Sequence, residues 1–190
     1  MRAFVAGVEE SGVYQQIYFF MNRNFPALGI LVLAVMFILA ALSAKFRENR
    51  WIRLLYGAAA VSYMFGLLFL TLGSRKQYAV PILDMKLHFL RLEEIRKRDA
   101  WVLQGDVGNV ILFFPFGIIS QRFLGDKIHW FGCMAFGGVV SACIEALQYV
   151  FRRGYCDIND FLYNVSGVLA GYLAGWLAEW AFGVKSEHGR

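Results

Sequence analysis

Ionisable and amide side chains cluster around a short connection between two apolar runs near the C-terminal end of the chain. One group closes the first run and another opens the second, and spacings of three or four residues place each group on one helix face. Such side chains are costly in a membrane unless they pair or line a polar cavity, so the pattern predicts a functional site. The cluster consists of Glu145, Gln148, Arg153, Asp157, Asp160 and Asn164.

Each of these residues has a structural interpretation beside the functional one. Burial of Glu145 is unfavourable unless it is paired, and its expected partner is Arg153, or a hydrogen bond through Gln148. An aspartate at a helix start is favoured by capping, so Asp157 and Asp160 are either helix caps or ligand-binding groups. An ion pair that fixes two helices together and a binding or reacting site are therefore both open.

The residue types limit the chemistry. A carboxylate cluster binds a polar ligand or, through its oxygens, a divalent cation. His88, His129 and His188 are isolated from one another in the sequence, so zinc is disfavoured, and neither a metal site nor a cofactor is predicted. No nucleophile elbow, phosphate loop or dinucleotide fingerprint occurs, so no catalytic motif indicates an enzyme. Whether the protein is an enzyme stays open.

The composition indicates a membrane protein. Of 190 residues, 58% are hydrophobic and 17% are charged, whereas about a quarter of the residues in soluble domains are charged. The net charge of +5 comes from short basic clusters between apolar runs, which is typical of contact with lipid head groups. The lipid bilayer is therefore the expected partner, and nucleic acid is not.

Five apolar runs are long enough for a helix that crosses about 30 Å of hydrocarbon. They predict an all-α fold, a polytopic transmembrane helical bundle of about five spanning helices. Residues 14–25, which are aromatic and polar by turns, predict a short interfacial helix before the first span. The predicted spans are 26–44, which opens at Pro26, 54–73, 107–124, 129–150 and 160–182.

The order of the spans brings distant polar residues together. Because the chain reverses at each connection, the start of the third span, the end of the fourth and the start of the fifth share one side of the bundle. Asp106 and Asn109 therefore join the cluster, and residues 74–105 lie over it. The positive-inside rule leaves sidedness unsettled, since the dense basic cluster at 45–53 and the total Lys and Arg counts point opposite ways.

Proline and glycine in these spans predict close packing. Pro115 makes a kink in the third span, either for packing or as a bend that opens a cavity beside Asn109. Gly167, Gly171 and Gly175 let the fifth span approach a neighbour closely. That neighbour is expected to be the fourth span, with a homo-oligomer as the alternative.

Three blocks in order resemble the VanZ-like family of bacterial membrane proteins. The blocks run from Gly108 to Gly117, from Glu145 to Gln148 and from Arg153 to Gly167. Pro81 also falls where that family tends to have a proline. Asn159 departs from the pattern, because many members have a second acid there, and this argues against a role that needs three adjacent carboxylates.

The resemblance covers about residues 55 to 178 and divides the chain. It predicts an N-terminal interfacial segment with an extra transmembrane helix at 1–50, a VanZ-like membrane domain at 51–184 and a tail at 185–190. It implies a multi-pass protein of the bacterial cytoplasmic membrane, with the polar cluster at the external face. The family's namesake is associated with resistance to the glycopeptide teicoplanin.

The leading hypothesis is an envelope protein that binds a glycopeptide antibiotic or a lipid-linked cell-wall precursor and contributes to glycopeptide resistance. In it, Arg153 meets a carboxylate or phosphate. One alternative is a membrane enzyme that modifies a lipid or peptidoglycan intermediate, with Glu145 as acid or base. The other is a structural accessory partner of another envelope protein. The predicted ligand-binding residues are Asn109, Glu145, Gln148, Arg153, Asp157, Asp160 and Asn164.

Overall fold

The computed structural model describes residues 12–46, 48–73, 75, 78–85, 100–153 and 156–183. Most of the segment 74–105, which is predicted to lie over the cluster, and the tail at 185–190 lie outside the described residues. Within the described part there are five helices, which confirms the predicted all-α fold. They are α1 (Gly12–Lys45), α2 (Arg50–Leu68), α3 (Gly105–Leu124), α4 (Lys127–Phe151) and α5 (Ile158–Phe182).

α3 and α4 are the spanning parts of one helical stretch, Ala100–Phe151, which is interrupted at His129. The backbone of His129 has a φ of 49°, in the left-handed region that non-glycine residues rarely adopt. The two arms fold back on each other, so that the rings of Phe116 and Phe136 lie 5.5 Å apart. This hairpin brings the start of α3 and the end of α4 to the same end of the bundle.

Four segments of the described chain are long and apolar enough to cross a membrane. They are Arg50–Gly73, Gly105–Leu124, Lys127–Phe151 and Ile158–Phe182, and their ends agree with the predicted second to fifth spans to within four residues. Large apolar side chains such as Phe65, Val139 and Trp180 are exposed on their outer faces, as expected for helices that contact lipid. The chain is therefore an integral membrane protein.

The first predicted span lies inside a longer helix. Residues 30–45 form a shorter apolar stretch, but α1 runs without a break from Gly12 to Lys45. α1 therefore continues through Pro26, where the sequence predicts that the first span begins. The interfacial position of residues 14–25 stays a prediction, because their side chains lie outside the described residues. A proline removes only one backbone hydrogen bond, and membrane helices tolerate this loss in their interior.

α2 is capped at its start and widened at its end. Asn49 Oδ1 accepts hydrogen bonds from the backbone N–H groups of Trp51 and Ile52, at 2.9 and 3.3 Å, which is the usual role of an N-cap amide. After Leu68 the chain continues as a short π-helix, Phe69–Gly73. The carbonyl groups of this last turn have no further helical N–H to bind, so they are available to other side chains.

α3 and α5 pack with their backbones in contact. A Cβ atom on Gly171 would overlap the carbonyl oxygen of Phe114, and one on Gly117 would overlap the carbonyl oxygen of Val168. The expectation that the α5 glycines pack against the fourth span is therefore wrong, because they face α3. α4 meets α5 through other residues, including Gly137, which faces the Val168 side chain.

Pro115 is buried at this contact and the backbone around it stays helical, since the non-helical residue of the stretch is His129. The hydroxyl of Tyr63 on α2 donates to the carbonyl oxygen of Leu112 at 2.7 Å. This carbonyl is next to that of Ile111, which lost its usual N–H donor to the proline. A neighbouring helix thus supplies a polar partner within one residue of that site.

Two short strands, which the sequence does not predict, join distant segments. β1 (Leu83–Asp84) pairs in parallel with β2 (Cys156–Asp157), so that Asp84 lies beside Asp157. A two-residue strand has no detectable sequence periodicity. The pairing attaches the chain that follows α2 to the connection between α4 and α5.

Candidate functional site

The polar residues of the cluster meet where α2 and α4 end and where α3 and α5 begin. The amide of Asn164 on α5 donates from Nδ2 to Ser141 Oγ on α4 at 2.9 Å. One to two turns nearer the end of the bundle, the backbone N–H of Asp157 donates to Glu145 Oε2 at 3.0 Å. The fourth and fifth spans thus face each other through their polar residues at this end.

Glu145 is 7% exposed and lies among charges of both signs. Arg75, Asp157 and Asp160 are all close enough to interact with it electrostatically. Its predicted ion pair with Arg153 is not formed, because its hydrogen bond comes from the Asp157 backbone and Arg153 turns towards α2. The alternative partner, Gln148, also points to α2.

Asp157 is the N-cap of α5. This is the structural one of its two predicted roles, helix cap or ligand-binding group. Its Oδ1 accepts from the backbone N–H of Asn159 at 2.8 Å and from the Asn159 side-chain Nδ2 at 2.7 Å. Asn159 is only 1% exposed. The amide at the position where an acid was expected therefore serves to hold the capping carboxylate.

The end of α4 is attached to the end of α2 by side chains that donate to backbone carbonyl groups. Gln148 Nε2 donates to the carbonyl oxygen of Thr71 at 2.9 Å. Arg153 Nη1 donates to the carbonyl oxygens of Leu72 and Gly73, at 3.1 and 3.0 Å. A cation at the C-terminal end of a helix is favoured by the unpaired carbonyl groups and by the helix dipole.

A left-handed turn directs these contacts. Arg152 has a φ of 56° and follows the last residue of α4. Its backbone carbonyl accepts from the N–H of Tyr78 at 2.8 Å, and its Nη1 donates to the carbonyl oxygen of Ala79 at 3.1 Å. Because the helix stops here, Arg153 leaves the face that carries Glu145, which explains why the predicted pair fails.

The residues of α3 and the second aspartate of α5 lie at the same end. Asp106 and Asn109 are 6% and 7% exposed, and the next residue, Val110, packs against Gly167 of α5. Asp160, in the first turn of α5, is partly buried and interacts electrostatically with Glu145. The structure therefore places all seven predicted residues at one end of the bundle, although it tests no ligand-binding role for them.

Two buried amide oxygens accept no hydrogen bond from the described residues. They are Oε1 of Gln148 and Oδ1 of Asn164, on side chains that are 1% and 3% exposed. Each lies on the same helix face as a carboxylate of the cluster, three residues after Glu145 and four after Asp160 respectively. Buried polar atoms in proteins are nearly always paired, so these two need an explanation.

Sequence reasoning missed several contributors, among them Thr71, Arg75, Ser141 and Asn159. Ser141 precedes Glu145 by four residues and Gln148 by seven, so helical periodicity alone could have placed it on the same stripe. Thr71 contributes through its backbone carbonyl, and Asn159 was noted only as a departure from a family pattern. No sequence signal marks a carbonyl group as an acceptor.

The site does not favour thiol or metal chemistry. Cys156 lies beside Asp157, and burial raises the pKa of its thiol, with the negative charges of Glu145, Asp157 and Asp160 adding to the effect. The thiol therefore stays neutral and is a poor nucleophile at neutral pH. Among the described residues, no group of three His, Cys, Asp or Glu side chains lies close enough together to hold a metal ion.

The comparisons with known proteins agree with this architecture. The VanZ/LLP1 family model matches residues 30–179, which takes in part of α1 as well as the three resembling blocks. No curated protein and no solved structure matches the chain. Since the matched range covers most of its length, this membrane protein belongs to the VanZ/LLP1 family.

Proposed function

We propose that this protein resides in the bacterial cytoplasmic membrane and binds a polar ligand at the end of the bundle where α5 begins. The ligand is a glycopeptide antibiotic or a lipid-linked cell-wall precursor, and binding contributes to resistance against teicoplanin and related glycopeptides. This end faces outward in the proposal, and the basic connection between α1 and α2 faces the cytoplasm. The family and the gathering of the polar residues at one end of the bundle support the proposal together.

One observation carries it: the unpartnered oxygens of Gln148 and Asn164. Leaving a buried acceptor without a donor costs about 1–3 kcal/mol. A cluster that only held helices together would need the N–H donors of these amides, which bind Thr71 and Ser141, but not a buried acceptor that lacks a donor. A ligand that donates hydrogen bonds to these two oxygens would satisfy them, which the contacts between the helices do not.

Drug susceptibility of a bacterial host that carries the gene tests the function. Glu145→Gln keeps the acceptor for the Asp157 N–H and removes the charge, while Asn164→Leu removes the unpartnered oxygen at similar volume. We expect both variants to lose the resistance that the wild-type protein confers, at equal amounts in the membrane. The matched control is Ser166→Ala, because the exposed Ser166 hydroxyl bonds only within its own helix, to Leu162.

If both site variants protect the host as well as the wild-type protein does, the cluster has no part in resistance. Protein amounts in the membrane fraction must be compared in the same cells, because Glu145 and Asn164 also bond between helices. A variant that is present at the wild-type amount and melts within a few degrees of it isolates the functional effect.

A structural role is the second candidate, and a specific observation favours it. The hydrogen bonds that Arg152 and Arg153 donate, and the one that Glu145 accepts, all involve the backbone of another segment. Such contacts hold α2, α4 and α5 in fixed positions relative to one another. A structural accessory protein, which presents a rigid surface to another envelope protein, would need such contacts. On this proposal Glu145→Gln lowers the melting temperature and leaves drug susceptibility unchanged.

The enzymatic alternative stays a prediction. It requires Glu145 to exchange a proton with a lipid or peptidoglycan intermediate. Turnover of a labelled precursor by the purified protein, compared with the Glu145→Gln variant, is the measurement that decides it.

A further inference from the structure

The end of the bundle opposite the polar cluster is basic. It consists of the connection between α1 and α2, the connection between α3 and α4, and the last turn of α5. The two connections, residues 45–53 and 122–128, carry six Lys and Arg residues, four in the first and two in the second, against one acid in each, Glu48 and Asp126. We call it the basic end, and the cations whose side chains the structure describes there are Lys45, Arg50, Arg53, Arg122 and Lys127.

The two basic connections lie side by side. The ring centroids of Tyr56 on α2 and Phe123 on α3 are 5.8 Å apart. Arg53 lies one turn before Tyr56 on α2, and Arg122 is close enough to Tyr56 to interact with it electrostatically. The cations of both connections therefore form one continuous surface rather than two separate patches.

A positive charge remains at this surface after the acids are counted. Glu179, the acid of α5 at this end, accepts a hydrogen bond from Gln121 Nε2 at 2.8 Å, so its carboxylate turns towards α3. With Glu179 included, three acids stand against the six basic residues of the connections. Lys45, Arg50, Arg53 and Lys127 are exposed, and Arg122 is half-buried.

Exposed tryptophan rings surround these cations. Trp51 at the start of α2, Trp130 at the start of α4 and Trp180 at the end of α5 are 71%, 53% and 72% exposed. The guanidinium carbon of Arg50 lies 5.4 Å from the centre of the Trp51 ring. Tryptophan is enriched where the hydrocarbon of a membrane meets the head groups, so the cations beside these rings lie at the level of the lipid phosphates.

The charge of the surface complements one class of lipid. A zwitterionic head group has no net charge, whereas an anionic phospholipid carries a negative charge that attracts nearby cations. One Lys or Arg beside an anionic membrane surface strengthens the attraction about fivefold. A leaflet presents many head groups at once, so the cations of the basic end need not converge on a single point.

We propose that the basic end binds anionic phospholipids, with its Lys and Arg side chains on the head-group phosphates and its exposed tryptophan rings at the boundary with the hydrocarbon. The inference goes beyond the proposed function and is independent of it, because it involves no residue of the polar cluster. Loss of resistance in variants of that cluster would neither support nor weaken it.

Tryptophan fluorescence tests the inference on the full-length protein. The chain has five tryptophans; Trp51, Trp130 and Trp180 lie at the basic end, Trp176 lies one turn before Trp180, and Trp101 begins the helical stretch that contains α3, at the opposite end. Trp101→Phe therefore restricts the signal to the half of the bundle that contains the basic end.

This protein is placed in vesicles of equal parts phosphatidylglycerol and phosphatidylcholine with the same acyl chains. One of the two lipids is brominated on the acyl chain near the head group, because bromine quenches tryptophan that it contacts. We expect stronger quenching by the brominated phosphatidylglycerol, equivalent to an enrichment of about twofold or more around the rings. The enrichment should fall at high ionic strength, because salt screens exposed charges.

Two triple variants separate charge from other properties of the surface. Arg50→Gln, Arg53→Gln and Lys127→Gln together remove three exposed charges and should remove most of the enrichment. The matched control, Arg50→Lys, Arg53→Lys and Lys127→Arg, keeps the charges and should keep the enrichment. Circular dichroism compares the folding of the two variants, and the salt dependence tests the same point without any substitution.

Three results would overturn the inference. They are equal quenching by the two brominated lipids, an enrichment that persists both at high ionic strength and in the neutralised variant, and an enrichment that the charge-conserving variant loses as fully as the neutralised one.

Discussion

Substitution of Gly171 by alanine tests the backbone contact between α3 and α5. This contact fixes the position of Asn109 on α3 relative to Asn164 on α5. The new Cβ would overlap the carbonyl oxygen of Phe114 and lie 3.0 Å from the Cα of Gly117. These are backbone atoms, which cannot rotate away as the end of a side chain can. The two helices must therefore move apart.

The expected magnitude follows from two opposing terms. Alanine is favoured over glycine inside a helix by about 0.8–1.0 kcal/mol, whereas overpacking costs about 1–3 kcal/mol. Because the overlap is with rigid atoms, the upper end applies, and the net loss is about 2 kcal/mol. For a chain of this size this lowers the melting temperature by about 4–8 °C.

Matched glycines provide the controls for thermal unfolding in detergent, followed by circular dichroism at one scan rate. Nothing lies within 4 Å of a Cβ on Gly66, so Gly66→Ala should raise the melting temperature by about 2–4 °C. On Gly138 the nearest atom would be 3.6 Å away, an ordinary contact, so alanine there should be neutral or mildly stabilising.

The reasoning is refuted if Gly171→Ala melts at or above the wild-type temperature while Gly66→Ala behaves as expected. A second check uses Gly117→Ala, whose Cβ would lie near Tyr172 N and the Cα of Gly171. Since both substitutions force the same two helices apart, the double variant should lose less stability than the two single losses added together.

Three further predictions concern the polar end. Glu145→Ala, which leaves the Asp157 N–H without its acceptor, should lower the free energy of unfolding by about 1–3 kcal/mol, and Glu145→Gln by clearly less; equal losses would show that this hydrogen bond is unimportant. Arg153→Met should detach the end of α4 from α2 and raise hydrogen exchange in residues 69–73, while exchange in α1 stays unchanged. With Cys133 and Cys143 replaced by serine, alkylation of Cys156 should be slow at neutral pH and accelerate as the pH rises above the usual thiol range, because the raised pKa keeps the thiol protonated. Glu145→Gln removes a neighbouring negative charge, so it should lower the pKa of Cys156 and speed the reaction at neutral pH. An unchanged rate would contradict the electrostatic argument.

Predictions from local sequence agreed with the structure where a local property decides the outcome. The four spanning helices were located to within four residues, because about 20 consecutive apolar residues suffice to define a span. Asp157 was recognised as a potential cap because a capping side chain acts on the backbone two or three residues away. The gathering of the polar residues at one end followed from counting chain reversals.

Predictions that required a partner in space were less successful. Glu145 and Arg153 were paired on the strength of opposite charge and proximity in sequence, yet each is bound to the backbone of another segment. The α5 glycines were assigned to the wrong neighbour, since their spacing shows that a close contact exists but not which helix makes it.

Residue types and their order along the chain thus suffice to identify a membrane-embedded bundle of the VanZ/LLP1 family and to locate its polar residues. The contacts that these residues make follow from the folded structure. The left-handed turn at Arg152 directs Arg153 to the carbonyl groups at the end of α2, and the contact between Gly117 and Gly171 sets α3 against α5. The direction of Arg153 and the packing of α3 against α5 both depend on backbone atoms from segments that are distant in the sequence. Residue types along the chain do not indicate which carbonyl groups lie within reach of a given side chain.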